Sequence, residues 1–262
     1  MINSALAERW ERAVANGSVS HCEEEDESLP VLHSADELLS RSTEDGALTG
    51  RSANDTEQLI QVARWAKDCL TKPHPALGRP GPVCPYVSGS IREQRFLLTA
   101  LHGAVTNHRE TDETMLRLAR YFVRLAPTSA SSAHRKTIVV LFPNLPERRA
   151  GDIVDEMHQR LKPHFLRLGL MLGEFYKESS KPGLHNPEFR PLRSDTPLLV
   201  IRSMVLTDIA FLSDQASFVR AFLQNFQVRG CEAVLGYVAE KRSALSDAQI
   251  SMLLEEAVRG PT

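Results

Sequence analysis

Long apolar runs are missing from this chain, and so is an excess of either charge. The most apolar stretches, Thr137 to Phe142 and Leu198 to Ile201, have the length of strands, whereas a membrane helix needs about 20 apolar residues. The N-terminus lacks the charged-then-apolar pattern of a secretion signal, so a soluble, cytoplasmic protein is expected. With 31 Lys and Arg against 33 Asp and Glu, the net charge is -2; there is no basic stripe of the kind a nucleic-acid binder presents. Cysteine is scarce. The four, at positions 22, 69, 84 and 231, are too irregularly spaced for a disulfide framework and include no CxxC pair for a structural zinc. There is no Gly-rich phosphate loop, no GxSxG elbow, no GxGxxG after a strand and no HExxH pair, so nucleotide cofactors and the common hydrolase mechanisms lack support.

What is present suffices for a sizeable core, since 42% of the 262 residues are hydrophobic. Leu6, Trp10, Ala13 and Val14 predict a short amphipathic helix over residues 3–15, followed by the acidic run 23–27 and a Ser/Thr/Gly/Asp-rich stretch. Residues 1–53 therefore read as an extension, and 54–262 as the folded domain. Within that domain, helices are predicted from Asn54 or Asp55 to before Pro73, over 111–125 with Thr111 or Asp112 as cap, over 149–161, near 215–228 and over 246–258. Strands are predicted at 96–101, 137–142, 170–176 and 198–201. The implied fold is α/β, a mixed central sheet covered by helices.

Two Pro-rich loops stand out. In the first, Leu77 to Tyr86, prolines at 80, 82 and 85 fix φ and glycines at 78 and 81 supply freedom. A cysteine held so firmly at position 84 suits an axial thiolate to haem iron, a catalytic nucleophile, or a packed structural thiol. Arg79 and Arg92 flank it. The second loop, Pro182 to Ser194, carries His185, Asn186, Arg190 and Arg193 between three prolines. Arginine forks suit haem propionates or the carboxylate of an amino-acid substrate, and His185 suits an acid–base or ligand role.

The pattern His-Pro-x-Leu-Gly-Arg-Pro-Gly-Pro-Val-Cys-Pro-Tyr at 74–86, with Pro-Gly-Leu-His-Asn-Pro-x-Phe-Arg-Pro-Leu-Arg-Ser at 182–194, then Ile201-Arg202-x-Met204-Val205, Asp208 and Phe211-Leu212, resembles an actinobacterial domain family of unknown function. The resemblance spans about residues 55–230. More distantly, the chain is similar to the YqcI/YcgG-like proteins, which include haem-dependent N-hydroxylases of guanidino groups. They share a Pro-Cys-type loop before a strand, an apolar strand ending in Phe-Pro before a helix, and a late apolar strand. Here proline also follows the cysteine, and an aromatic-rich later segment of that family has no counterpart.

The resemblance implies a haem b protein with Cys84 as axial ligand, His74 or His185 being the alternatives. The expectation is an oxygenase that hydroxylates a nitrogen of an amino-acid-derived substrate, served by an electron donor. Arg79, Arg92, Arg190 or Arg193 would hold propionates or a substrate carboxylate, and His185 with Asn186 would line the distal side. Two other classes stay open: a cofactor-free module binding a small molecule or partner, and a hydrolase or acyltransferase with Cys84 as nucleophile and His185 as base.

Overall fold

The computed structural model describes residues 29–40, 53–104, 107–129 and 132–260. The expected helix at 3–15 and the acidic run at 23–27 lie outside the described residues.

Alternation of apolar side chains builds one five-stranded mixed sheet in the order β1-β2-β3-β5-β4. Its strands are β1 (His33–Ser34), β2 (Phe96–Ala100), β3 (Thr137–Leu141), β4 (Leu170–Phe175) and β5 (Leu198–Ser203). β2 and β3 are parallel; β1 is antiparallel to β2, and β5 runs antiparallel between β3 and β4. β3, with all five residues buried, is the sheet's centre.

Each face has its own apolar layer. On one, Ile138, Val140, Leu170, Leu172, Leu199 and Ile201 meet two long helices, His108–Arg124 and Ala150–Arg167. On the other, Phe96, Leu98, Val139, Leu141 and Leu198 meet Ala35–Ser40 and Ala53–Trp65. In chain order the helices are α1 (Ala35–Ser40), α2 (Ala53–Trp65), α3 (Val87–Arg92), α4 (His108–Arg124), α5 (Ala150–Arg167), α6 (Ala216–Phe226), α7 (Val228–Lys241) and α8 (Asp247–Arg259). The last three form a third layer around Val219, Phe222, Leu223 and Val234 that also covers Met171 and Met204.

The α/β reading holds, with four differences of detail. The boundary at residue 53 cuts through the folded unit, because β1 pairs with β2 and α1 buries Ala35 and Leu38. α4 starts earlier than predicted, with Asn107 as its cap: the side chain accepts from Glu110 N. α5 runs through Pro163 to Arg167, because Ile153, Val154, Met157, Leu161, Phe165 and Leu166 keep one buried face across the proline. The C-terminal region holds three helices instead of two; Gln227, at φ 54°, breaks the chain between α6 and α7.

Candidate functional site

The Cys84 loop is a braced hairpin. Val83 N donates to Lys72 O at 2.9 Å and Cys84 N to Leu70 O at 2.8 Å, next to a bridge between Pro73 and Pro82. Pro75–Leu77 form a single 3-10 turn capped by His74, whose Nδ1 accepts from Ala76 N. Arg79 holds the loop from inside: its two terminal nitrogens donate to Pro80 O at 3.0 Å and Val83 O at 3.1 Å. Cys84 itself is half-buried, has no disulfide partner, and packs at the rim of the apolar layer under α2.

The second loop docks on the first. Asn186 Nδ2 donates to Ala76 O at 2.8 Å, and the rings of His74 and Phe189 stack at 4.8 Å. Gly78, at φ 77°, packs so closely that a Cβ there would lie 2.7 Å from His185 O. A residue with a side chain could satisfy neither the backbone angle nor the contact.

Beneath Cys84 lies a charged group on β5. Register places Arg202 between Thr137 of β3 and Met171 of β4, and strand alternation sets it on the same face as Val200 and Leu198. Its guanidinium grips Asp208 bidentately, at 2.7 and 2.6 Å, and Asp208 also accepts Val205 N at 2.7 Å. Burial works against the Arg202 charge, but Asp208 more than restores it, with further help from Cys84 and Tyr86, so its pKa lies above the ordinary arginine value. Burial raises the Tyr86 phenol while Arg202 opposes. Cys84, Tyr86 and Arg202 thus lie within electrostatic reach of one another. The Tyr86 ring meets His134 edge-on at 5.4 Å.

The expected site residues are therefore partly assembled. Cys84 and Arg79 share one braced loop, but Arg79 is a strut with both terminal nitrogens on carbonyls. Asn186 is also a strut, since its Oδ1 accepts Glu188 N while its amide holds Ala76. His185 is exposed and its backbone rests on Gly78, six residues before Cys84. Arg190 turns one nitrogen onto Pro187 O and Phe189 O, and Arg193 gives Nε to Ser179 O. Arg92 is exposed at the end of α3. The reading by residue types missed the Arg202–Asp208 pair as chemistry, although an arginine ending the run Leu198 to Ile201 is a visible signal.

Two further polar groups lie apart from this junction. Beyond the carboxyl ends of β2 and β3, His102 Nε2 lies 2.9 Å from the buried Asp55 carboxylate and its Nδ1 lies 2.7 Å from Asn144 Nδ2. At the edge strand β4, Glu174 meets His158 Nε2 at 3.1 Å and Lys181, which also reaches Asp155. Burial lowers the His158 pKa, with Glu174 opposing. Among the described residues, no group of three or more His, Cys, Asp or Glu is arranged to hold a metal ion, and no helix is long and apolar enough to cross a membrane.

Fold and site together define an α/β domain whose two Pro-rich loops meet over one face of a mixed sheet, around a single cysteine and a strand-borne arginine. The chain belongs to the family described as Domain of unknown function (DUF6875), whose model matches residues 59–234. The matched span takes in both loops, Arg202 and Asp208, and leaves out β1, α1 and α8. No curated protein and no solved structure matches the chain.

Proposed function

We propose that this DUF6875 protein is a haem-dependent oxygenase that hydroxylates a nitrogen of an amino-acid-derived substrate, with Cys84 as the axial ligand. The observation that carries the reading is the setting of Cys84: a half-buried thiol without a disulfide partner, on a braced loop at the rim of an apolar layer. A haem asks the protein for one such donor because the porphyrin supplies four, so this donor set fits. The Cys84 N–H is engaged with Leu70 O, and residue 85 is a proline. Neither of these backbone positions donates to the sulfur, which leaves more charge on it.

A bound haem supplies O₂ activation and oxygen transfer, and the chain orients, anchors and excludes water. Arg79 fixes the carbonyl that precedes Cys84. Arg190 and Arg193 hold loop carbonyls with part of their donor set and offer the rest to propionates or a substrate carboxylate. His185, exposed on the docked loop with its backbone against Gly78, is the acid–base group assigned to the distal side in this reading. The Arg202 guanidinium, fixed by Asp208, lies within electrostatic reach of the sulfur. The setting is cytoplasmic, with the thiol kept reduced and an electron donor as partner.

A thiol on a braced loop also suits a cysteine nucleophile, but a nucleophile needs a base within reach. Among the described residues, no histidine hydrogen-bonds Cys84. Titration with haem separates the two. The expected result is a Soret band that saturates near one equivalent, and that shifts or disappears in Cys84→Ser while the far-ultraviolet circular dichroism is unchanged. A protein that develops no Soret band, yet loses a substrate turnover on alkylation of Cys84, would overturn the oxygenase in favour of the nucleophile.

A further inference from the structure

The segment from Tyr176 to Pro197 joins β4 to β5 without helix or strand, and stretches of such length inside a compact domain are commonly lids or binding loops. Two sets of contacts hold it. At its root, Lys181 Nζ sits between carboxylates of two rigid elements, Asp155 Oδ1 on α5 at 2.7 Å and Glu174 Oε1 on β4. Glu174 is buried and backed by His158, and Asp155 accepts from Tyr176 Oη at 2.9 Å. One lysine therefore links two fixed anions to the loop. The root is completed by Tyr176 N to Leu192 O and Arg193 Nε to Ser179 O.

The tip is held more lightly. Its attachments to the Cys84 loop are the Asn186 bond to Ala76 O, the stack of Phe189 on His74, and the packing of His185 on Gly78. Breaking them strips no buried charge of its partner. Within itself the tip is ordered, with Gly183 N bonded to Phe189 O, Phe189 N to Asn186 O and Glu188 N to Asn186 Oδ1. A segment with internal bonds, a light tip and an ionic root moves as a body. The geometry points to a strap over residues 177–194, latched by Lys181 and opening as a unit to uncover the junction at residues 74–78.

Amide hydrogen exchange on the intact protein tests this, with the β3 amides Ile138–Leu141 as the internal reference for global opening. The amides bonded across the root of the strap, Tyr176 N to Leu192 O and Ser194 N to Tyr176 O, are expected to exchange at least about tenfold faster than β3, as local openings do. Lys181→Met is expected to accelerate them by roughly a further tenfold with β3 unchanged, and Lys181→Arg to restore most of the protection. Asn186→Ala removes the tip's bond to Ala76 O and should accelerate the Tyr176 and Ser194 amides together, since the strap opens as one body. Should Lys181→Met not fold, Asp155→Asn removes one arm of the latch and is expected to give an acceleration of about threefold. Strap amides that exchange at the β3 rate, or variants that accelerate strap and β3 by one common factor, would show a fixed wall and overturn the proposal.

Discussion

Replacing Asp208 by alanine strikes the bidentate ion pair set on the sheet face beneath Cys84. The carboxylate is 1% exposed and accepts three hydrogen bonds, two from Arg202 and one from Val205 N. Its removal leaves a guanidinium and a backbone N–H without partners. Breaking a buried pair costs about 3–5 kcal/mol when the remaining charge is fully enclosed. Arg202 keeps 28% of its side-chain surface, so water recovers part of that loss, and a net destabilisation of roughly 3 kcal/mol is expected. For a domain of this size that is a fall in Tm of about 6–12 °C. Urea denaturation followed by circular dichroism measures it. The double variant Arg202→Met, Asp208→Leu removes both charges and should recover all but about 1 kcal/mol. A loss under about 1 kcal/mol for Asp208→Ala, or a double variant as damaged as the single one, would refute the reasoning that the pair is a buried, mutually dependent unit.

Other consequences follow from the same geometry. Gly78→Ala meets both a positive φ and a 2.7 Å approach to His185 O, whereas Gly81→Ala meets only the positive φ, its nearest neighbour being Arg79 at 3.6 Å; Gly78→Ala should cost about 1–3 kcal/mol more in urea denaturation, and equal effects would contradict the docking of the two loops. Burial holds His158 below its ordinary pKa, so below pH of about 6.5 the unfolded chain binds the extra proton first. Stability is then fully present above that pH and declines as pH falls toward the folded-state value, and His158→Gln should flatten the decline in a pH series of urea midpoints. Arg79→Met frees the Val83 carbonyl without touching Cys84, and should quicken alkylation of Cys84 by iodoacetamide several-fold; an unchanged rate would remove Arg79 from its bracing role.

Much of this architecture is legible in the residues. Thr137 to Leu141 and the helical spacing of Met115, Leu118, Ala119 and Phe122 announce their elements, because burial on one face or both imposes a period on the sequence. The two loops stand out because proline and glycine mark rigid backbone. Their meeting does not: Ala76 and Asn186 are 110 positions apart, and contact at that separation is set by the sheet order. β1 is two residues long and follows an acidic stretch, so no periodicity betrays it. α7 is hidden because a single residue, Gln227, separates it from α6, and the break rests on the positive φ of that residue. Lys181, Glu174 and Asp155 are ordinary charged residues in the sequence, and become a latch only once α5 lies against β4.

The most direct test of the central claim is the absorption spectrum of the haem-loaded protein, reduced and placed under carbon monoxide. Thiolate ligation by Cys84 predicts a strongly red-shifted carbonyl Soret band that vanishes in Cys84→Ser. A carbonyl band at the ordinary position, unchanged by Cys84→Ser and removed by His74→Ala or His185→Ala, would contradict Cys84 as the ligand and move the iron to a histidine.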